Sequence, residues 1–215
     1  MLFRSHLGAA ARARLTSDAR VVAVTGSVGK TGTKEALRFV LSQQGQTHAS
    51  VASYNNHFGV PLTLARMDQA TKFGIFEIGM NHAGEIEPLT RQVKPHVALI
   101  TTVEAVHIEN FPNVEAIADE KSAIFLGLEE GGTAIINRDN LHYERMWTHA
   151  SRSKAGRLLS FGENPFADIR LASLKMDVEG SDIIAEINGL PLAYRLGSPG
   201  KHLADRKSTR LNSSH

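Results

Sequence analysis

Cysteine is absent from the 215 residues, which excludes a disulfide framework, a thiolate metal site and a cysteine nucleophile. No apolar run approaches the length of a membrane span, and the N-terminus lacks the apolar core that opens a signal peptide. Internal repeats and native low-complexity segments are missing as well. Together these absences lead to the expectation of a soluble, cytoplasmic protein without membrane insertion. The chain is still long enough for one substantial domain with a well-buried core.

Both ends read as foreign to that domain. Asp205-Arg206-Lys207-Ser208-Thr209-Arg210-Leu211-Asn212-Ser213-Ser214-His215 resembles the translated read-through of a short-read sequencing adapter, and Leu2-Phe3-Arg4-Ser5 resembles the end of its counterpart. Residues 1–5 and 205–215 are therefore expected to be artefact, with 6–19 a connector and 20–204 the domain itself. Without those ends Lys+Arg falls from 24 to 20 and Asp+Glu from 22 to 21, so a net charge of +2 becomes −1. The basic balance then gives no argument for nucleic acid or a membrane surface.

The most informative stretch is Val21-Val22-Ala23-Val24-Thr25-Gly26-Ser27-Val28-Gly29-Lys30-Thr31-Gly32-Thr33-Lys34-Glu35. A β-branched run ends in a glycine-rich turn carrying Gly-Lys-Thr, and Ala36, Leu37, Val40 and Leu41 then repeat at helical spacing. This reads as strand, phosphate loop and helix. Small residues let backbone N–H groups close around a polyphosphate, the lysine reaches the β/γ-phosphates, the threonine hydroxyl binds Mg2+, and the helix N-terminus supplies a positive dipole. The usual first glycine would stand where Val24 is, so the loop has the shorter G-x-x-G-K-T form.

Onward from this loop the pattern alternates. Leu7 to Arg20 reads as a helical connector ahead of it; after it, strands are expected over Thr47–Ala52, Phe73–Met80, His96–Val103, Thr133–Asn137 and Arg157–Phe161. Helices are expected from Pro61, over about Glu85–Val93 and Val114–Leu128, and from Leu141. Near-continuous apolar strands alternating with helices imply an α/β fold, a parallel sheet covered by helices on both faces. From Asp168 the period changes to two. Ile169–Met176, Ile183–Ile187 and Leu190–Leu196 are separated by Glu179-Gly180 and Asn188-Gly189, which signals a small antiparallel β appendage.

Ligands in open parallel sheets sit beyond the carboxyl ends of the strands. One rim would therefore receive the phosphate loop, Glu77, His107 and Asn137 from four strand ends. Glu77 lies between Phe76 and Ile78 in a run that should be buried, so it needs a cation or donors, and a Mg2+ shared with Thr31 satisfies that need. Lys121 falls in the middle of the apolar face formed by Val114, Ile117, Ala118, Ile124, Phe125 and Leu128. It is either snorkelling to the helix edge or desolvated with a lowered pKa, and a neutral amine near metal can react with CO2 to give a carbamate ligand. His107 is either a hydrogen-bonded loop histidine or a ligand beside Glu77 and Lys121. Asn137 reads an adenine edge or caps the following helix, and Asn55 and Asn56 orient substrate or form a turn.

Taken together, Thr25–Glu35, Tyr54-Asn55-Asn56-His57-Phe58-Gly59-Val60-Pro61, Glu77-Ile78-Gly79-Met80-Asn81-His82-Ala83-Gly84-Glu85-Ile86 and Asn137-Arg138-Asp139 resemble the middle domain of a Mur ligase. The resemblance covers about Val21 to Ala204. It is most specific at the serine of the phosphate loop and in the Glu-x-Gly-x-Asn-x-x-Gly-Glu-Ile block. It implies ATP-dependent amide formation in peptidoglycan synthesis, nearest to the ligases that join D-alanyl-D-alanine to UDP-N-acetylmuramoyl-tripeptide. A substrate carboxylate attacks the γ-phosphate to give an acyl phosphate, and the incoming amine displaces phosphate.

By position, the resemblance implies that Thr25, Gly26, Ser27, Val28, Gly29, Lys30, Thr31 and Gly32 bind ATP, with Lys30 neutralising the γ-phosphate. It further implies one Mg2+ on Thr31 and Glu77, and a second on Glu77, His107 and carbamylated Lys121. Asn137 would contact adenine; Asn55, Asn56, Asn81 and His82 would face the peptide carboxylate. The resemblance implies a flanking domain on either side, both expected to lie outside this sequence, and Gly197-Ser198-Pro199-Gly200-Lys201-His202 resembles the segment before the second of them. The fragment is therefore expected to bind nucleotide weakly at best and not to turn over; a monomer is expected as well. The competing readings are another Mur ligase, a cyanophycin- or folylpolyglutamate-type ligase, a phosphate-loop switch, and a non-catalytic nucleotide-binding module. Asn137-Arg138-Asp139-Asn140 does not supply the Asn-Lys-x-Asp pattern that guanine selection in a switch would want.

Overall fold

Alternating strand and helix is the pattern found in the computed structural model, which describes residues 2–51 and 54–197, with side chains from residue 5 onward. A helix, α1 (Leu2–Ala13), comes first and ends before Arg20, so the expected connector helix is shorter at its C-terminal end. Arg12 explains where it docks: its guanidinium donates to the carbonyls of Val93 and Lys94, at 2.9 and 2.7 Å. The β-branched run then forms β1 (Arg20–Thr25), and Gly29, at φ 87°, turns the chain into α2 (Lys30–Ser42). A side chain at that φ would be strained.

The strands β2 (Thr47–Ala49), β3 (Phe73–Glu77) and β4 (Val97–Ile100) end earlier than their apolar runs, because the residues beyond them bend into the rim loops. The helix expected from Pro61 starts at Gly59, giving α3 (Gly59–Ala65), since the side chain of Asn56 accepts the N–H groups of Phe58 and Gly59 and starts the turn early. α4 (Ile86–Val93) follows β3, and α5 (Val114–Ser122) follows β4 with Asn113 capping the N–H of Ala116 at 2.9 Å. The expected helix to Leu128 is not one helix: from Ala123 to Gly127 the chain tightens to a 3-10 turn. Tertiary contacts account for this. Thr90 donates to the Ile124 carbonyl at 2.7 Å, and a Cβ on Gly127 would meet the Thr90 backbone at 2.4 Å. β5 (Gly132–Asn137) and α6 (Tyr143–Ser151, two residues later than expected) complete the pattern.

The described chain divides into two compact units between Leu159 and Ser160, with β6 (Ala155–Gly162) carrying it from one to the other. In the first unit the parallel order is β2-β3-β1-β4-β5. β1 sits between β3 and β4, so the connection after β1 leaves toward one side and that after β4 toward the other. Such a switch point opens a crevice at the carboxyl ends of β1 and β4. In the second unit β7 (Ile169–Met176), β8 (Gly180–Ile187) and β9 (Leu190–Gly197) pair antiparallel. Asn188 and Gly189 both take positive φ, 51° and 78°, which is the two-residue turn their identities signalled. Residues from Ser198 onward, including most of the segment expected to precede a further domain and the adapter read-through, lie outside the described residues.

Period two sorts the central sheet into faces. Val21, Ala23, Phe76, Ile78, Ala98, Ile100, Ala134 and Ile136 join Leu64, Ile86, Leu89, Ile117, Phe125 and Met146 in one buried cluster. Val24 and Ile75 are buried on the opposite face, where α2 packs against β1, β2 and β3. Farther along that face Leu99 and Ile135 are only half-buried. The apolar residues of α2 do not all turn inward, either. Leu37 and Leu41 are half-buried, but Ala36 and Val40 are exposed, and Lys34 is the residue of that helix that is fully buried.

Candidate functional site

Four rim loops converge at the switch point, and hydrogen bonds tie them to one another. Ser27, in the phosphate loop, donates its N–H to Thr102 at 2.8 Å. Its hydroxyl donates to the Glu104 carbonyl at 3.0 Å and accepts the Glu104 N–H at 2.9 Å. Thr101 donates to the Val28 carbonyl, and it packs so closely that a Cβ on Gly26 would sit 1.9 Å from its hydroxyl oxygen. With Gly26 at φ 147°, glycine is required there on both counts. The phosphate loop and the loop after β4 therefore form one stitched unit.

Beneath that loop lies Glu77, 1% exposed. Its two carboxylate oxygens accept from the Thr31 hydroxyl at 2.9 Å and the Asn55 amide at 2.8 Å. Both donors are neutral, so neither offsets the charge of a carboxylate buried here, and a cation would. A hydroxyl and a carboxylate oxygen held this close are the hard oxygen donors that Mg2+ takes, and the residues fit that ion. Lys30 folds back on its own loop, donating to the Gly26 and Ser27 carbonyls at 2.6 and 3.3 Å. Burial lowers the pKa of its ammonium, and the charge of Glu77 partly restores it.

Across the crevice stands Lys121, 4% exposed on α5. Burial first, and then repulsion from Lys30, depress its pKa to about 7, with Glu120 pulling the other way. Of the two positional readings, desolvation holds and snorkelling does not. Lys30, Lys121, His107, Gly26, Ser27, Asn55, Asn56, Asn81 and Glu85 share one cavity of about 140 Å3. His107 is half-exposed in a left-handed turn (φ 61°), its Nδ1 3.8 Å from a Glu109 oxygen. Among the described residues no three of His, Asp and Glu are grouped to hold a metal ion, so a site on Glu77 and His107 depends on what Lys121 becomes.

Other expected residues lie elsewhere. Asn137 lines a second cavity of about 470 Å3 with Thr102, Glu104, Asn140 and His142, where its amide donates to the Thr101 carbonyl at 2.9 Å and accepts the Asp139 N–H at 2.9 Å. His82 is exposed and leans on Glu85 rather than into the cavity. Thr25 is fully buried, and its hydroxyl has no partner among the described residues. Val28 is exposed at the loop tip and Gly32 faces open space. Sequence reasoning missed Lys34, whose fully buried ammonium donates to the Ser50 carbonyl at 2.9 Å just ahead of Asn55. It also missed Glu85. Burial raises the pKa of that carboxyl, but hydrogen bonds from Asn81 and His82 outweigh it and hold it below the usual carboxylate value.

A glycine-rich turn at the switch point of a parallel sheet, with a lysine, a threonine and a buried carboxylate around it, defines a phosphate-loop nucleotide-binding domain. The Mur ligase middle domain matches residues 24–205, and the chain belongs to that family. It is 38% identical over 162 residues to the UDP-N-acetylmuramoyl-tripeptide–D-alanyl-D-alanine ligase of Rickettsia prowazekii, an alignment covering 75% of this chain and 36% of the relative. A crystal structure of MurF from Acinetobacter baumannii superposes with a TM-score of 0.84 at 27% identity, over 98% of this chain and 45% of that one. The MurF ligase of Thermotoga maritima in complex with ADP shares the fold, with a TM-score of 0.78 at 24% identity over 97% of this chain and 48% of that one. The chain thus spans less than half the length of the relatives it matches. No helix among the described residues is long and apolar enough to cross a membrane.

Proposed function

We propose that the chain is the nucleotide-binding middle domain of an ATP-dependent ligase that joins D-alanyl-D-alanine to UDP-N-acetylmuramoyl-tripeptide in the bacterial cytoplasm. The observation that carries this reading is the shared cavity, lined together by phosphate-loop residues, Asn55, Asn56, Asn81 and Lys121. The names of the relatives and the ADP bound to the Thermotoga protein support it.

The chemistry asks for positioning and charge neutralisation more than for covalent participation by the protein. Loop amides and Lys30 take the phosphates, and Lys30 exchanges its contacts to Gly26 and Ser27 for them. Thr31 and Glu77 would hold one Mg2+; Glu77, His107 and Lys121 as a carbamate would hold a second. Bound there, the ions neutralise charge on the transferring phosphoryl group. A lysine with its pKa near 7 is largely uncharged at mildly alkaline pH, the form that reacts with CO2. Asn55, Asn56 and Asn81 orient the acceptor carboxylate, with His82 at the outer edge of that wall. Adenine takes the second cavity, where Asn137 retains one amide hydrogen and one oxygen lone pair for a base edge.

Phosphate release by the full-length protein tests the reading. It should require ATP, the UDP-tripeptide and D-alanyl-D-alanine together, and the 215-residue chain alone should show none. Release from the full-length protein that ignores either acceptor or amine would overturn the assignment.

A further inference from the structure

The wall of the cavity formed by Asn81 and Glu85 is held by a side chain from a different element. Glu120, on α5, accepts the Gly84 N–H at 2.8 Å with one carboxylate oxygen and the Ile86 N–H at 2.9 Å with the other. Glu85, bracketed between them, accepts the Asn81 N–H at 2.7 Å and the His82 N–H at 3.3 Å. Two carboxylates thus gather the four N–H groups that shape residues 81–86. Ile86 is anchored in the buried cluster, but no packing holds Gly84, which sits at φ 84° with nothing within 4 Å of where a Cβ would be. An ordinary helix cap would serve α4 alone, but the Gly84 N–H lies outside that helix, on the loop. The residue after Glu120 is Lys121, which lines the same cavity.

We infer that Glu120 is a positioning residue: it holds the Asn81–Glu85 wall in the shape that binds the acceptor peptide. This rests on the ligase reading. Its two hydrogen bonds are charge-assisted, the stronger kind, and Glu120 is only half-buried, so removing it leaves the apolar core intact.

Hydrogen exchange on the 215-residue chain and kinetics on the full-length protein test the inference together. In Glu120→Ala, the amides of residues 81–86 should exchange at least about tenfold faster while β1, β3 and β4 keep their rates. In the full-length enzyme, KM for the UDP-tripeptide should rise about tenfold, with KM for ATP and kcat each within about threefold of wild type. Glu120→Gln keeps one carbonyl acceptor and should fall between the two. Unchanged exchange in the loop would overturn the inference. So would faster exchange with both KM values moving in parallel, which is the mark of a purely structural role. Wild-type enzyme that releases no phosphate in response to the UDP-tripeptide and D-alanyl-D-alanine would defeat the ligase reading itself and the inference with it, whatever the exchange rates.

Discussion

Replacing Lys121 with methionine should make the protein more stable, by an amount that depends on pH. In the folded chain the ammonium titrates at about 7 rather than 10.5, and the side chain is 4% exposed. A depression of that size corresponds to on the order of 5 kcal/mol between the charged and neutral forms. Between about 7 and 10.5 the folded lysine has released its proton while the unfolded one keeps it. Stability therefore rises with pH across that window by about 1.4 kcal/mol per unit, and below it the full penalty applies without further slope. Methionine is unbranched and similar in length, so it fills the space without the charge. Urea unfolding of both proteins in carbonate-free buffer at pH 6, 7, 8 and 9 isolates the effect, since other titrations largely cancel in the difference. The gain from the substitution should be largest at pH 6 and shrink steadily above pH 7. A gain or loss that stays constant from pH 7 to 9 would refute the claim that Lys121 is desolvated.

With 13C-labelled bicarbonate and Mg2+ the wild-type protein should show a carbamate carbon resonance that Lys121→Met lacks; its absence from both would remove Lys121 from the metal site. Gly26→Ala should lower the melting temperature sharply and cost at least about 2 kcal/mol, because it combines the Thr101 clash with a φ of 147°. Glu77→Ala should leave nucleotide binding without Mg2+ nearly unchanged and weaken it at least about tenfold with Mg2+, as calorimetry would read. Phe125→Ala, at 1% exposure in the main cluster, should cost about 3–5 kcal/mol in chemical unfolding.

The sequence announced strands well because a parallel sheet needs apolar runs whatever surrounds them. Every expected strand is present, and β7 has the expected bounds, Ile169–Met176. Helices were less legible where another element decides their fate. Nothing local in Ala123–Gly127 forbids an α-helix; the Thr90 hydroxyl and the close approach of Gly127 end it, and both act across more than thirty residues of chain. The same holds at the site. Lys30, Thr31 and Glu77 follow from residue type and strand position, and Lys121 from being a charge on an apolar face. Glu120 could not be read, because an acidic residue beside Lys121 on a helix looks like a solvated one until the Gly84 and Ile86 amides are found on it. The bonds of the Ser27 hydroxyl to both polar groups of the Glu104 backbone could not be read from the sequence either, because they join loops more than seventy residues apart.

The stitching of the phosphate loop to residues 101–104 bears on the thermodynamics of nucleotide capture. A loop already fixed by Thr101, Ser27 and Asn137 has little disorder left to surrender when a ligand arrives. Binding at this half of the crevice should then carry a small unfavourable entropy, and its heat should come chiefly from charge meeting charge. The temperature dependence of that heat would be modest as well, because few apolar atoms leave water when a phosphate enters a rim made of backbone amides, lysine and asparagine.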